Sequence, residues 1–168
     1  IPDEVNEMFL QGGNIASYII FPKNRINNGQ TINMARGVIR LIDDRFDLTL
    51  ECIRRFYKNL PSPLYNTFLN YKNFFDLFES FEYYLEYFLL QDLIDSKAEI
   101  KYYLPFDDFK TPPDFNSVGD YLTYKKKVLE FNTLRKVRIN KEIERALWSI
   151  DFRDKDLQYD LFDKDKLS

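Results

Sequence analysis

"NIASYIIFP", residues 14–22, is the stretch on which the fold class turns. It sets Ile15, Tyr18, Ile19, Ile20 and Phe21 close together, and these are residues that suit a pleated, half-buried surface. Pro22 ends the run, since proline has no N–H to give a ladder. Residues 15–21 are therefore read as a strand. A lone strand would leave its backbone groups without partners, so a second strand is needed. "EIKYYLPF", residues 99–106, is the natural partner, and pairing of 15–21 with 99–105 is expected. Between them "KNRINNGQ", residues 23–30, reads as a turn with Asn27-Asn28-Gly29 at its tip.

The rest reads as helix. A first helix is expected over 33–42, with Gly37 inside it at a cost of about 1 kcal/mol against alanine, and Asp43-Asp44 break it. Asp47 suits the N-cap of a second helix reaching about Asn59, with Phe46, Leu50, Ile53, Tyr57 and Leu60 recurring on one face. Residues 64–94 carry eleven rings between Tyr65 and Phe88, at spacings that suggest two or three short helices broken near Asn70 and Ser80. Helical spacing makes these rings core rather than a platform for stacking bases. After the loop "DDFKTPPDFNS", 107–117, Ser117 caps a long helix to about Trp148. Its apolar line is Tyr121, Tyr124, Val128 and Phe131, and its other side is basic: Lys125, Lys126, Lys127, Arg135, Lys136, Arg138 and Lys141. The fold class is α+β, predominantly α-helical: a helical domain with a small two- or three-stranded sheet and a long C-terminal helix. Residues 1–168 form a single domain, with 1–11 as an arm and 150–168 as a charged tail.

Composition narrows function by exclusion. The 168 residues carry a net charge of −3, which gives no global attraction for nucleic acid or an anionic membrane. No apolar run is long enough to span a bilayer. There is no histidine, which removes the commonest general base and nearly all zinc sites. Cys52 is alone and reads as a small core residue; with no signal peptide in view, a cytoplasmic location is expected. The chain begins at Ile1 rather than Met, which suggests a fragment of a longer chain. Nothing in the sequence calls for a cofactor or sets the oligomeric state.

The chemistry concentrates in residues 32–57, where Arg36, Arg40, Arg45, Arg54 and Arg55 stand among apolar residues. A guanidinium keeps its proton, so near a core it needs a carboxylate, a carbonyl or an anionic ligand. Asp43, Asp44, Asp47 and Glu51 neutralise these arginines on the structural reading. Five arginines face four carboxylates, however, so one, Arg36, is expected to face a cleft without a carboxylate of its own. On that second reading Arg36, Arg40, Arg45 and Arg54, with Asn33 and the N–H groups at the first helix start, hold a phosphate or carboxylate. Asp44, Asp47, Glu51 and Arg55 support them. "NGQTINMARG" lacks the glycine spacing of a phosphate-binding loop.

Asp107 and Asp108 are the weak metal candidates, because adjacent strand residues point to opposite faces while turns are rich in aspartate. The best reading is a binding module for a small anionic ligand such as a nucleotide. The alternative is a metal-dependent enzyme acting on phosphates through Asp and Glu. A nucleic-acid or protein interaction domain using the basic helix is weaker, since a solvated face is the default for such a charge pattern.

"TINMARG" (31–37), "DRFDLTLECIRRFY" (44–57), "SPL" (62–64), "FFDLF" (74–78), "YFLLQDL" (87–93) and "LPFDDF" (104–109) together resemble a family of bacterial proteins of unknown function. The likeness covers roughly residues 12–145. It implies a longer N-terminus than this chain has, and it brings no catalytic role with it. Val38 stands where the family pattern is associated with more polar residues.

Overall fold

The structure, a computed structural model, describes residues 13–26 and 29–149 together with the single positions Asn6 and Leu10. The expected arm over 1–11 (those two positions aside), the Asn27-Asn28 tip and the charged tail over 150–168 lie outside the described residues. Six α-helices are described: α1 Ile32–Val38, α2 Phe46–Tyr57, α3 Tyr65–Asn70, α4 Lys72–Phe75, α5 Phe81–Tyr87 and α6 Val118–Ser149. Short 3₁₀ turns lie at Ile15–Ser17, Asp76–Phe78 and Gln91–Leu93.

The expected sheet is absent: among the described residues there is no strand, only an isolated antiparallel bridge between Ile94 and Ile100. The α+β assignment is therefore corrected to an all-helical one, and the reason is visible in the backbone. Asn14 closes the Ile15–Ser17 turn, its side chain accepting from the Ala16 N–H at 2.9 Å. The chain then runs extended, with Ile19 and Phe21 buried and Tyr18 and Ile20 more than half exposed. That is the alternation of a strand, but the partner is a side chain. The Arg135 guanidinium donates to the carbonyls of Ala16 at 2.9 Å and Tyr18 at 2.8 Å, and to Phe88 at 2.9 Å. Residues 99–105 are served in the same way. The Tyr103 N–H donates to the Asp47 carboxylate at 2.8 Å, Lys127 donates to the Tyr102 carbonyl at 3.0 Å, and the Lys101 N–H returns to Leu93 at 2.8 Å. Backbone groups must be satisfied, but not by another strand.

Helix α1 is shorter than expected. Thr31 caps it, accepting from the Met34 N–H at 3.2 Å, and it ends at Val38. Asp43 and Asp44 follow with φ of 48° and 56°, a left-handed pair that aspartate tolerates better than most residues. Helix α2 begins at Phe46 with Arg45 in the cap position, so Asp47 is not the N-cap; its side chain is buried and bonded elsewhere. Seven consecutive residues of α2, Asp47 to Ile53, are buried, so it is the central helix rather than one with a single inward face.

The rings of residues 65–88 close over α2. Phe56 packs against Phe68 at 5.6 Å and Phe75 at 5.1 Å between centroids, and Tyr84 against Phe78 at 5.3 Å and Phe88 at 4.7 Å. Phe68, Phe75 and Tyr84 are fully buried, as their period implies. Helix α6 lies across the other side of the body. Its apolar line runs Tyr124, Val128, Phe131, and the next member four residues on is Arg135, buried like Phe131. Lys125 is also buried, so two positions assigned to a solvated basic face belong to the interior.

Candidate functional site

Central helix α2 carries three buried polar side chains, Asp47, Thr49 and Glu51. Most of the arginines serve these three. Asp47 receives Arg45 through Nε at 3.1 Å and through a terminal nitrogen at 2.6 Å, and both side chains are buried. Glu51 receives Arg54 at 2.7 and 2.8 Å and Arg55 at 2.7 Å. Burial alone would raise the Glu51 pKa, yet the bonds from Arg54 and Arg55 overcome it and hold the carboxyl below its usual range. Arg55 also reaches Asp108 and the Pro61 carbonyl and lies 4.9 Å from the Phe109 ring centroid. Arg40 is exposed and sits 3.6 Å from Asp114.

Thr49 receives Arg36. The Arg36 Nε donates to Thr49 Oγ1 at 2.8 Å, one terminal nitrogen to Asn33 Oδ1 at 3.3 Å, and the other to the Asp44 carbonyl at 3.1 Å. That second nitrogen is also 3.1 Å from the Asp44 carboxylate, which is 70 % exposed. Arg36 thus has a carboxylate, contrary to the expectation from counting, because Asp108 and Asp114 come in from a distant loop and Asp44 stays available. At the helix start, the Met34 and Ala35 N–H groups are not open to a ligand either. Thr31 accepts from Met34 through its side chain and from Ala35 through its carbonyl at 3.0 Å.

Arg36, Asn33 and Asp44 nevertheless border one cleft, of about 500 Å³. Its walls are the Ser17–Ile19 segment, Phe46 at the head of α2, Tyr103, and the α6 residues Tyr124, Val128, Leu129 and Asn132. Arg40 and Arg54 do not border it, and Arg45 lines a separate cleft of about 190 Å³ beside Pro105 and Asp107. Of the anion-binding set inferred from sequence, the structure brings only Arg36 and Asn33 together here, with Asp44 as support. Three wall residues were not singled out as site residues. Asn132 is 3 % exposed and makes no hydrogen bond with another described residue. The Tyr103 and Tyr124 hydroxyls likewise have no described partner, and burial pushes both phenols up, Tyr124 to about 12. They remain neutral donors and acceptors. A polar residue beside Phe131 in an apolar line was the one signal that could have pointed to Asn132.

Of the residues lining the cleft, Arg36 and Asp44 offset each other in charge. Arg135 binds the carbonyls on either side of Ser17 and stacks 5.6 Å from the Phe46 ring, so it stands behind the wall, and it has no carboxylate partner among the described residues. Burial lowers its pKa to about 10, still far above neutral pH. Two buried guanidiniums, Arg36 and Arg135, therefore flank a space whose nearest carboxylate in contact is the exposed one of Asp44.

The aspartates of "LPFDDF" are engaged locally. Asp107 accepts from the Lys110 N–H at 3.1 Å and the Thr111 hydroxyl at 2.7 Å, and Asp108 pairs with Arg55. Among the described residues no group of three or more His, Cys, Asp or Glu is gathered as a metal site. No helix among them is long and apolar enough to cross a membrane. Cys52 is buried and its thiol is pushed up to about 12 by burial, which makes it unreactive.

The chain belongs to the family described as "Family of unknown function (DUF6994)", whose pattern matches residues 1–139. No curated protein and no solved structure is significantly similar to it.

Proposed function

We propose, for a member of a family with no assigned activity, that the protein is a binding module for a small anionic ligand held in the cleft between α1, the Ser17–Ile19 segment and α6. The observation that carries this is Arg36. Thr49, Asn33 and Asp44 fix its guanidinium at the wall of a cleft of about 500 Å³, within the size range of small-molecule sites. Its three hydrogen bonds use three of its five N–H groups; of the other two, one lies beside the Asp44 carboxylate and one on the nitrogen that meets Asn33. Arg135 adds positive potential from behind the wall. In a partly desolvated cleft such potential favours an anion more than it does in water.

The test is a titration with inorganic phosphate, sulfate and nucleoside monophosphates, followed by calorimetry and by melting temperature. Wild-type protein and Arg40→Gln should bind alike, whereas Arg36→Lys, which keeps the charge and loses the fork, should bind at least tenfold more weakly. Equal responses of wild type and Arg36→Lys, or no saturable response to any of these anions, would overturn the reading.

A further inference from the structure

Asn132 is the best-buried polar side chain of the cleft wall without a partner of its own. It offers one acceptor and two donors, and only 3 % of the residue is exposed. Its amide atoms are not among the polar atoms sealed from solvent without a partner, so they open onto the cleft, where water or a ligand can serve them. Tyr103 and Tyr124 line the same cleft, and their rings meet edge to face at 5.5 Å. Along α6, Tyr124 and Asn132 stand about 12 Å apart at 1.5 Å per residue, long enough for a ring and a charged group side by side. Phe46, Val128 and Ile19 supply apolar surface between the polar groups.

We infer that the ligand is an anion that also carries a planar ring with an amide-like hydrogen-bonding edge, as a nucleobase does, and that Asn132 is the residue reading that edge. This rests on the cleft being the anion site. Arg36 and Asn33 take the charged group, which any phosphate would satisfy. Asn132 takes what inorganic phosphate lacks. A site built to pair with such an edge rejects ligands without it, because its own amide is then left unpaired.

The experiment compares inorganic phosphate with the nucleoside 5′-monophosphates on wild type, Asn132→Leu and Asn132→Asp, by calorimetry. Wild type should bind at least one nucleoside monophosphate ten times or more tighter than inorganic phosphate. Asn132→Leu should lose that preference, keep its affinity for inorganic phosphate, and melt no lower than wild type. Asn132→Asp, adding a negative charge, should weaken both. The inference is overturned if nucleotides bind no tighter than inorganic phosphate, if Asn132→Leu keeps the preference, or if that variant melts well below wild type, which would make the amide structural. Absence of binding by every anion overturns the anion reading itself.

Discussion

Two junctions in this molecule use arginine to hold buried polar groups, and they are built differently. Around α2 each guanidinium meets a carboxylate or a hydroxyl belonging to the same short stretch: Arg45 with Asp47, Arg54 and Arg55 with Glu51, Arg36 with Thr49 and Asp44. With Asp108 from a distant loop pairing Arg55, four arginines meet four carboxylates there, and Glu51 uses both of its oxygens. At the junction of α6 with the Ser17–Phe21 segment, Arg135 meets only backbone carbonyls, from residues 47 to 119 positions away. Its charge is unmatched, and its Nε and the hydroxyl of nearby Tyr84 are buried without partners. The first junction is a closed ion-pair network. The second substitutes for a missing strand and leaves positive potential beside the cleft.

Glu51→Gln should have the largest effect, because it strands two guanidiniums at a fully buried position. A loss of about 3 kcal/mol or more in urea unfolding is expected, as for breaking a buried pair. A loss below about 1 kcal/mol would mean that water already serves Arg54 and Arg55. The same residue sets a pH dependence. Its folded pKa lies below the unfolded value, so its contribution is present above about pH 4.3 and is lost as the pH falls through the folded value. Melting temperature should therefore fall more steeply on acidification in wild type than in Glu51→Gln.

Arg135→Met comes next. Removing a buried, unmatched charge offsets part of the cost of leaving three carbonyls without a donor, so a net loss of about 2 kcal/mol is expected. The distinguishing measurement is hydrogen exchange. Protection should fall in residues 18–21 while the core of α2 keeps its rates at matched stability. Uniform acceleration would show that Arg135 supports the whole fold rather than one segment. Arg135→Lys should recover little, since one ammonium cannot replace a planar fork spread over three carbonyls.

Arg40→Gln is the smallest expected change. Arg40 and Asp114 are both largely exposed and 3.6 Å apart, so stability should stay within about 0.5 kcal/mol of wild type. A larger loss would mean that the α2 network extends to the surface.

What was readable in the sequence followed period and local spacing. The aromatic run over 65–88, the apolar line of α6 from Tyr124 onward (Tyr121 is not in the core) and the i,i+3 and i,i+4 approach of Glu51 to Arg54 and Arg55 all repeat with the helix, and all are found. Asn33 and Arg36, three apart on α1, were readable as neighbours on one face. Asp47 misled because an aspartate near a helix start looks like a cap, whereas here it reaches Tyr103, 56 residues away. Asn132 was marked only by its polarity beside Phe131, and Tyr103 and Tyr124 carried no local mark that would separate them from ordinary core positions.

By itself, then, the sequence determined a helical body with an aromatic core, an arginine-rich central helix, and a segment rich in β-formers before Pro22. Whether that segment joined a sheet was decided only in three dimensions. Alternation records which side of a segment is buried, not what satisfies its backbone. The answer was three charged side chains, Arg135, Asp47 and Lys127, each able to reach a distant carbonyl or N–H once α2 and α6 had packed. The cleft has the same origin: its walls come from five separate parts of the chain, and only packing brings Arg36 and Asn132 to face one space.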